Sequence, residues 1–123
     1  MAFPENTFDV IYCSHVLEHV PDDRRALREL FRVCKPGGWA LLQVPVSPGK
    51  TFEDPKILSQ ADRLRVFGQE DHCRCCGPDY ADRMQEAGFR TRVFISTEVL
   101  PQESLDRYGI DLCRLEFYCE KPL

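Results

Sequence analysis

Three histidines serve the whole chain, and two of them sit with an acid in one short stretch, Ser14-His15-Val16-Leu17-Glu18-His19-Val20. Imidazole titrates near neutral pH, so histidines beside an acid are groups that can move protons. The third, His72, follows Asp71 at the mouth of a loop region and is a candidate substrate contact. Each has a plainer alternative: Glu18 capping a helix, His19 packing beneath it, and His72 as a solvated loop histidine.

His72 also opens the cluster His72-Cys73-Arg74-Cys75-Cys76, in which Cys73 and Cys76 form a C-x-x-C pair. A closed zinc site normally needs four ligands in tetrahedral array, and a second pair is missing. Cys113 and Cys119 share one element, but six residues of strand put them roughly 20 Å apart. No metal is therefore expected, and a Cys73–Cys76 disulfide is a comparable outside reading. A small redox protein built on Cys73-x-x-Cys76 is weakened because the pair does not open a helix directly after a strand. The seven cysteines are an odd number, and the N-terminal residues lack a secretory pattern, so most read as reduced core thiols.

These groups need a scaffold. Phe8-Asp9-Val10-Ile11-Tyr12-Cys13 reads as a buried strand. Pro21-Asp22-Asp23 starts a helix from about Asp23 to Cys34, with Ala26, Leu27, Leu30, Phe31 and Cys34 on one stripe. Lys35-Pro36-Gly37-Gly38 stops it, and Trp39 to Val46 follows as a second apolar strand, giving a parallel βαβ unit. Ser47 to Asp71 is a polar connection of the kind that forms binding loops, with a short helix over Ser59 to Val66. Gly77-Pro78 opens a helix ended by Gly88, Phe89 to Ser96 is a half-buried strand, Pro101 to Tyr108 a short helix, and Leu112 to Glu120 a last strand with Cys113, Leu115, Phe117 and Cys119 on one face. This is an α/β chain.

With 123 residues, 43% hydrophobic and 29% charged, the composition is globular and fits one domain. The net charge of -4 and the lack of a basic stretch argue against nucleic acid, and no apolar run is long enough for a membrane span. A soluble, cytoplasmic protein is expected.

The block Phe8 to Val20, followed at a helix's distance by Arg32-Val33-Cys34-Lys35-Pro36-Gly37-Gly38, closely resembles the class I S-adenosylmethionine-dependent methyltransferases. The resemblance covers essentially the whole chain. It implies a truncated Rossmann-like sheet holding strands four to seven, the last antiparallel between the fifth and sixth, with flanking helices. Residues 1–123 would then be the C-terminal half of the domain. The family's glycine-rich loop and its ribose-binding acid would lie upstream of Met1, and no Gly-x-Gly occurs in this chain.

By that analogy Ser14 and His15 would face the sulfonium or amino-acid end of S-adenosylmethionine. Glu18 and His19 would border a small-molecule substrate, with His19 or His15 as base. Two functions follow: the C-terminal half of a small-molecule methyltransferase, or a non-catalytic remnant or assembly module. In the second, strand Phe8 to Cys13 lies at an open sheet edge and invites a homodimer.

Overall fold

The computed structural model describes residues 1–110 and 114–123. β1 (Phe8–Ser14) leads through a 3-10 turn (Leu17–His19) into α1 (Asp23–Val33) and β2 (Cys34–Gln43). Then come α2 (Gln60–Phe67), α3 (Tyr80–Glu86), β3 (Arg90–Ile95), α4 (Ser96–Val99), α5 (Gln102–Tyr108) and β4 (Leu115–Glu120). The sheet order is β1-β2-β4-β3, with β1 and β2 parallel and β4 antiparallel to both its neighbours. The last strand thus inserts antiparallel between the two before it, as the resemblance implies.

Local chemistry accounts for the elements. Asp22 caps α1 by accepting from the Arg25 amide at 3.0 Å, and Asp23 adds a negative charge in the first turn. The helix ends at Val33, one residue earlier than expected, because Cys34 is already extended and pairs with Phe8. Lys35-Pro36-Gly37-Gly38 therefore does more than stop a helix. It forms an irregularity within β2, across which the register jumps from Phe8↔Cys34 to Val10↔Trp39. Ser59 caps α2 through the Asp62 amide at 3.1 Å. Pro78 is not the first helical residue of α3; Gly77-Pro78-Asp79 form a turn in which the Gly77 carbonyl accepts from Tyr80. The expected last strand begins at Leu115, and Leu112 and Cys113 lie outside the described residues.

The core fills the face of the sheet under α1 and α3. Leu27 of α1 and Tyr80, Ala81 and Met84 of α3 meet Ala40 and Leu42 of β2 and Phe117 and Cys119 of β4. Ile11 and Cys13 complete it from β1. The expectation of a buried strand holds for only part of β1: Val10 and Tyr12 are 50% and 66% exposed. They point to the opposite face, in register with Trp39 and Leu41, and β1 stands at the sheet edge, so burial reaches only its alternate residues.

Candidate active site

β1 ends at Ser14, half-buried and paired in register with Gln43. His15 then takes a left-handed backbone, φ 54°, while its amide still donates to the Gln43 carbonyl at 3.0 Å. This bend turns the chain out over the carboxyl end of the parallel pair, the place where open α/β sheets bind ligands. Leu17, 1% exposed, plugs the following turn into the core. That anchors its neighbours Glu18 and His19 at the strand end.

Glu18 is also 1% exposed, and neither of its oxygens accepts a hydrogen bond. Its Oε1 lies 3.3 Å from His15 Nδ1 and 3.7 Å from His19 Nε2. His19 turns its other nitrogen, Nδ1, to Asp71 at 3.2 Å and meets the His72 ring edge to face at 4.7 Å. Residues from two stretches more than fifty positions apart thus converge on one point. The structure removes two plainer readings: Glu18 makes no cap hydrogen bond, and His72 is buried. Burial, joined by the charge of His19, pushes the His72 pKa below its usual value, although Glu18 and Asp71 oppose the shift.

The side chain that sequence reasoning missed is Arg74. It is 1% exposed and donates to the carbonyls of Leu17, Val20 and Pro21, stitching the loop that carries His72 to the turn that carries Glu18. Its Nε lies 3.0 Å from Glu53 and 3.5 Å from buried Asp23. Arg83 reaches the same two acids at 2.9 and 2.7 Å, and the Tyr80 hydroxyl donates to Asp23 at 2.8 Å. Burial works to raise the Glu53 carboxyl, but hydrogen bonds from Arg83 and Arg74 outweigh it and hold its pKa below the usual range. The Cys73 amide adds a bond to the Glu18 carbonyl at 2.7 Å. A guanidinium set between cysteines in a polar loop gives no periodic signal, so only the fold shows its role.

The thiols take other partners. Cys73 donates to the His19 carbonyl at 3.4 Å and Cys75 to the Val66 carbonyl at 3.7 Å. Cys76 is buried, which pushes its pKa up to about 12. All three are free, as are Cys13, Cys34 and Cys119. Cys113 lies outside the described residues.

Two hollows flank the cluster. One, of about 360 Å³, is lined by Pro21, Glu53, Ile57, Leu58, Arg63 and Arg74, and so by the Ser47 to Asp71 connection. The other, of about 620 Å³, runs between the end of β1 and α1, with Cys13, Val16, Leu17, Ala26 and Leu30 on its walls.

Comparison with known proteins decides the family, since the profile of the methyltransferase domain matches residues 1–92. The chain belongs to the class I S-adenosylmethionine-dependent methyltransferases. It is 34% identical over 90 residues to the chloroplastic 2-methyl-6-phytyl-1,4-hydroquinone methyltransferase 1 of Oryza sativa subsp. japonica, covering 73% of this chain and 24% of the rice protein. Among solved structures, the YcgJ protein of Bacillus subtilis superposes with a TM-score of 0.62 at 19% identity, over 100% of this chain and 68% of that one. Phosphoethanolamine N-methyltransferase 2 of Haemonchus contortus, solved with phosphomonomethylethanolamine and S-adenosylhomocysteine, gives 0.62 at 18% identity, over 98% of this chain and 35% of that one. The chain spans about a quarter of the length of the rice methyltransferase.

The family implies S-adenosylmethionine, and the residues present fit it only in part. The bend at Ser14 and His15 lies at the carboxyl end of β1, where the resemblance would put the sulfonium end. A grip on adenosine is not among the described residues: no Gly-x-Gly occurs along the sequence, and Gly37, at the end of β2 away from the site, donates its amide to the Lys121 carbonyl. No helix among the described residues is long and apolar enough to cross a membrane.

Proposed function

We propose that this chain forms the acceptor side of an S-adenosylmethionine-dependent methyltransferase acting on a small molecule. The observation that carries this reading is the convergence of His15, Glu18, His19 and His72 at the carboxyl end of β1. In this family the cofactor supplies a methyl group on a sulfonium. The chain's own residues would seat the acceptor and receive its proton, His15 or His19 acting as base beside the buried Glu18 carboxylate. Ser14 and His15 would border the cofactor, and Glu18 and His72 the substrate.

The hollow of about 360 Å³ under the Ser47 to Asp71 connection, with Glu53, Arg63, Cys73 and Arg74 on its wall, adjoins this cluster and in this reading would take the part of the acceptor away from the reacting group. Two relatives bear names for very different acceptors, a phytyl hydroquinone and phosphoethanolamine, so neither name selects the substrate here. Titrating S-adenosylmethionine into the chain by calorimetry tests the reading. Micromolar heat supports an enzyme, and silence supports the alternative.

That alternative, a non-catalytic assembly module, is favoured by one feature. β1 pairs with β2 on one side only, and Val10 and Tyr12 are exposed along it. Strand Phe8 to Cys13 would then pair with its counterpart in a second copy.

A further inference from the structure

We propose that Glu18, His19 and His72 bind one divalent transition-metal ion, of the zinc class. Each contributes one ligand atom, and the three atoms lie within 4.8 Å of one another. Bonds to zinc of about 2.0–2.2 Å require ligand atoms roughly 3.3 Å apart in tetrahedral geometry, so a modest inward movement completes the set. His19 Nε2 and Glu18 Oε1, at 3.7 Å, are already close to it.

A second observation points the same way. Glu18 is 1% exposed with both oxygens free of hydrogen bonds. A buried carboxylate without such bonds is costly unless a cation or a metal compensates it. His15 and His19 face it at ion-pair distance, but no N–H is directed into a hydrogen bond with it. A metal ion would satisfy that oxygen and both imidazoles together.

The surroundings have the form of a second coordination shell. His19 presents Nδ1 to Asp71 at 3.2 Å, which leaves Nε2 turned toward Glu18. A carboxylate on the far nitrogen of a ligating histidine fixes the ring and raises its basicity. Arg74 and the Cys73 amide tie the two ligand-bearing segments together, so His72 is held against the turn before any ion arrives. The thiols do not compete from their present positions, since Cys73 and Cys75 donate to carbonyls.

Two histidines and one glutamate with the remaining positions open match the ligand set of metal sites that act on substrate, not of closed structural ones. Such an ion could polarise an acceptor oxygen as a Lewis acid. With His19 as ligand, the proton-accepting role passes to His15, whose side chain is 55% exposed. The site does not depend on methyl transfer by this chain, and metal binding can be measured without cofactor or acceptor.

The experiment is calorimetric titration of zinc chloride into the metal-free chain, with native mass spectrometry for stoichiometry. One zinc per chain is expected, while magnesium, which prefers all-oxygen sites, gives no heat. Glu18→Gln and His72→Gln each weaken zinc binding at least tenfold. Asp71→Asn, which removes no ligand, weakens it about 10–100-fold. Cys75→Ser leaves it unchanged. Circular dichroism of each variant separates lost binding from lost folding, and Asp71→Asn, at an exposed position, carries the test if a buried variant unfolds. No stoichiometric zinc in the parent chain overturns the proposal. So does zinc that survives His72→Gln and disappears with Cys75→Ser.

Discussion

Arg74 holds three backbone carbonyls and two carboxylates from inside the protein, so its removal affects the fold and the site together. Replacing it with alanine leaves Asp23, 3% exposed, short of one cation and takes from the Leu17 carbonyl one of its two donors, the other being the Val20 amide. Breaking a buried pair from one side typically costs about 3–5 kcal/mol, and Arg74→Ala should lower the unfolding free energy in urea by that order. Arg83 still reaches Asp23, which places the expected loss nearer the lower figure. Alkaline stability belongs at this scale too. Burial raises the thiols of Cys76 and Cys119 to about 12. An unfolded thiol titrates near about 8.5, so their contribution is complete below that pH and is lost as pH rises toward 12. Urea melts between pH 8 and pH 10.5 should show this loss, with a shallower decline in Cys119→Ala; an unchanged slope in that variant would contradict it. His15, Glu18 and His19 were legible because charged and imidazole groups stand out in a short apolar setting. Arg74 was not, because a buried cation and an exposed one look alike until their partners are known.

At the scale of elements, the sequence pattern located β1, α1, α2, β3 and α5 to within a residue, as with α1, whose recurrent apolar set lies under one sheet face, whereas β2 runs Cys34–Gln43 instead of Trp39 to Val46 and α4 was not foreseen. What it could not supply was which face of β1 is covered. A short apolar run reads the same at an edge as at the centre of a sheet, and Val10 and Tyr12 are exposed here because of their place in the strand order. The turn before α3 was likewise misread as its first helical residue. Gly77 is needed there for space: a Cβ would overlap the Gly49 carbonyl oxygen and lie 2.8 Å from the Thr51 amide nitrogen. Its amide also donates to Thr51 Oγ1 at 2.9 Å, and Asp79 holds the Thr51 amide and hydroxyl at 2.7 and 2.9 Å. Those contacts fasten the long connection to the start of α3. Backbone atoms cannot yield as a flexible side chain can, so Gly77→Ala should destabilise the chain by about 1–3 kcal/mol. Limited proteolysis should then cut between Ser47 and Asp71 faster than in the parent; an unchanged cleavage rate would separate the connection from the turn.

For the whole molecule, the decisive asymmetry is between the two faces and two edges of a four-stranded sheet. One face is closed by α1 and α3. On the other, Tyr12 donates to Gln43 at 2.6 Å, and Trp39 and Tyr118 stack at 5.5 Å between ring centres, while Val10 and Tyr12 stay open. Open apolar residues beside an unpaired strand edge favour self-association, which a net charge of -4 opposes only weakly. Two modes of association are possible and they leave different traces. Pairing through the edge adds hydrogen bonds to β1, so the exchange of Phe8 to Cys13 amides should slow as protein concentration rises. Stacking through the open face buries Tyr12 and Val10 but leaves those amides exchanging at their original rate. Edge pairing is the expected mode, because the charged groups near β1, Asp9 and Lys35, satisfy each other at 2.7 Å and leave little repulsion along the edge. Light scattering should therefore show a dimer together with concentration-dependent protection of β1. Tyr12→Lys should weaken that dimer less than it would a stacked one, since edge pairing depends on backbone groups. A monomer at high concentration, or a dimer whose β1 amides exchange freely, would remove the edge from the account and with it the assembly reading.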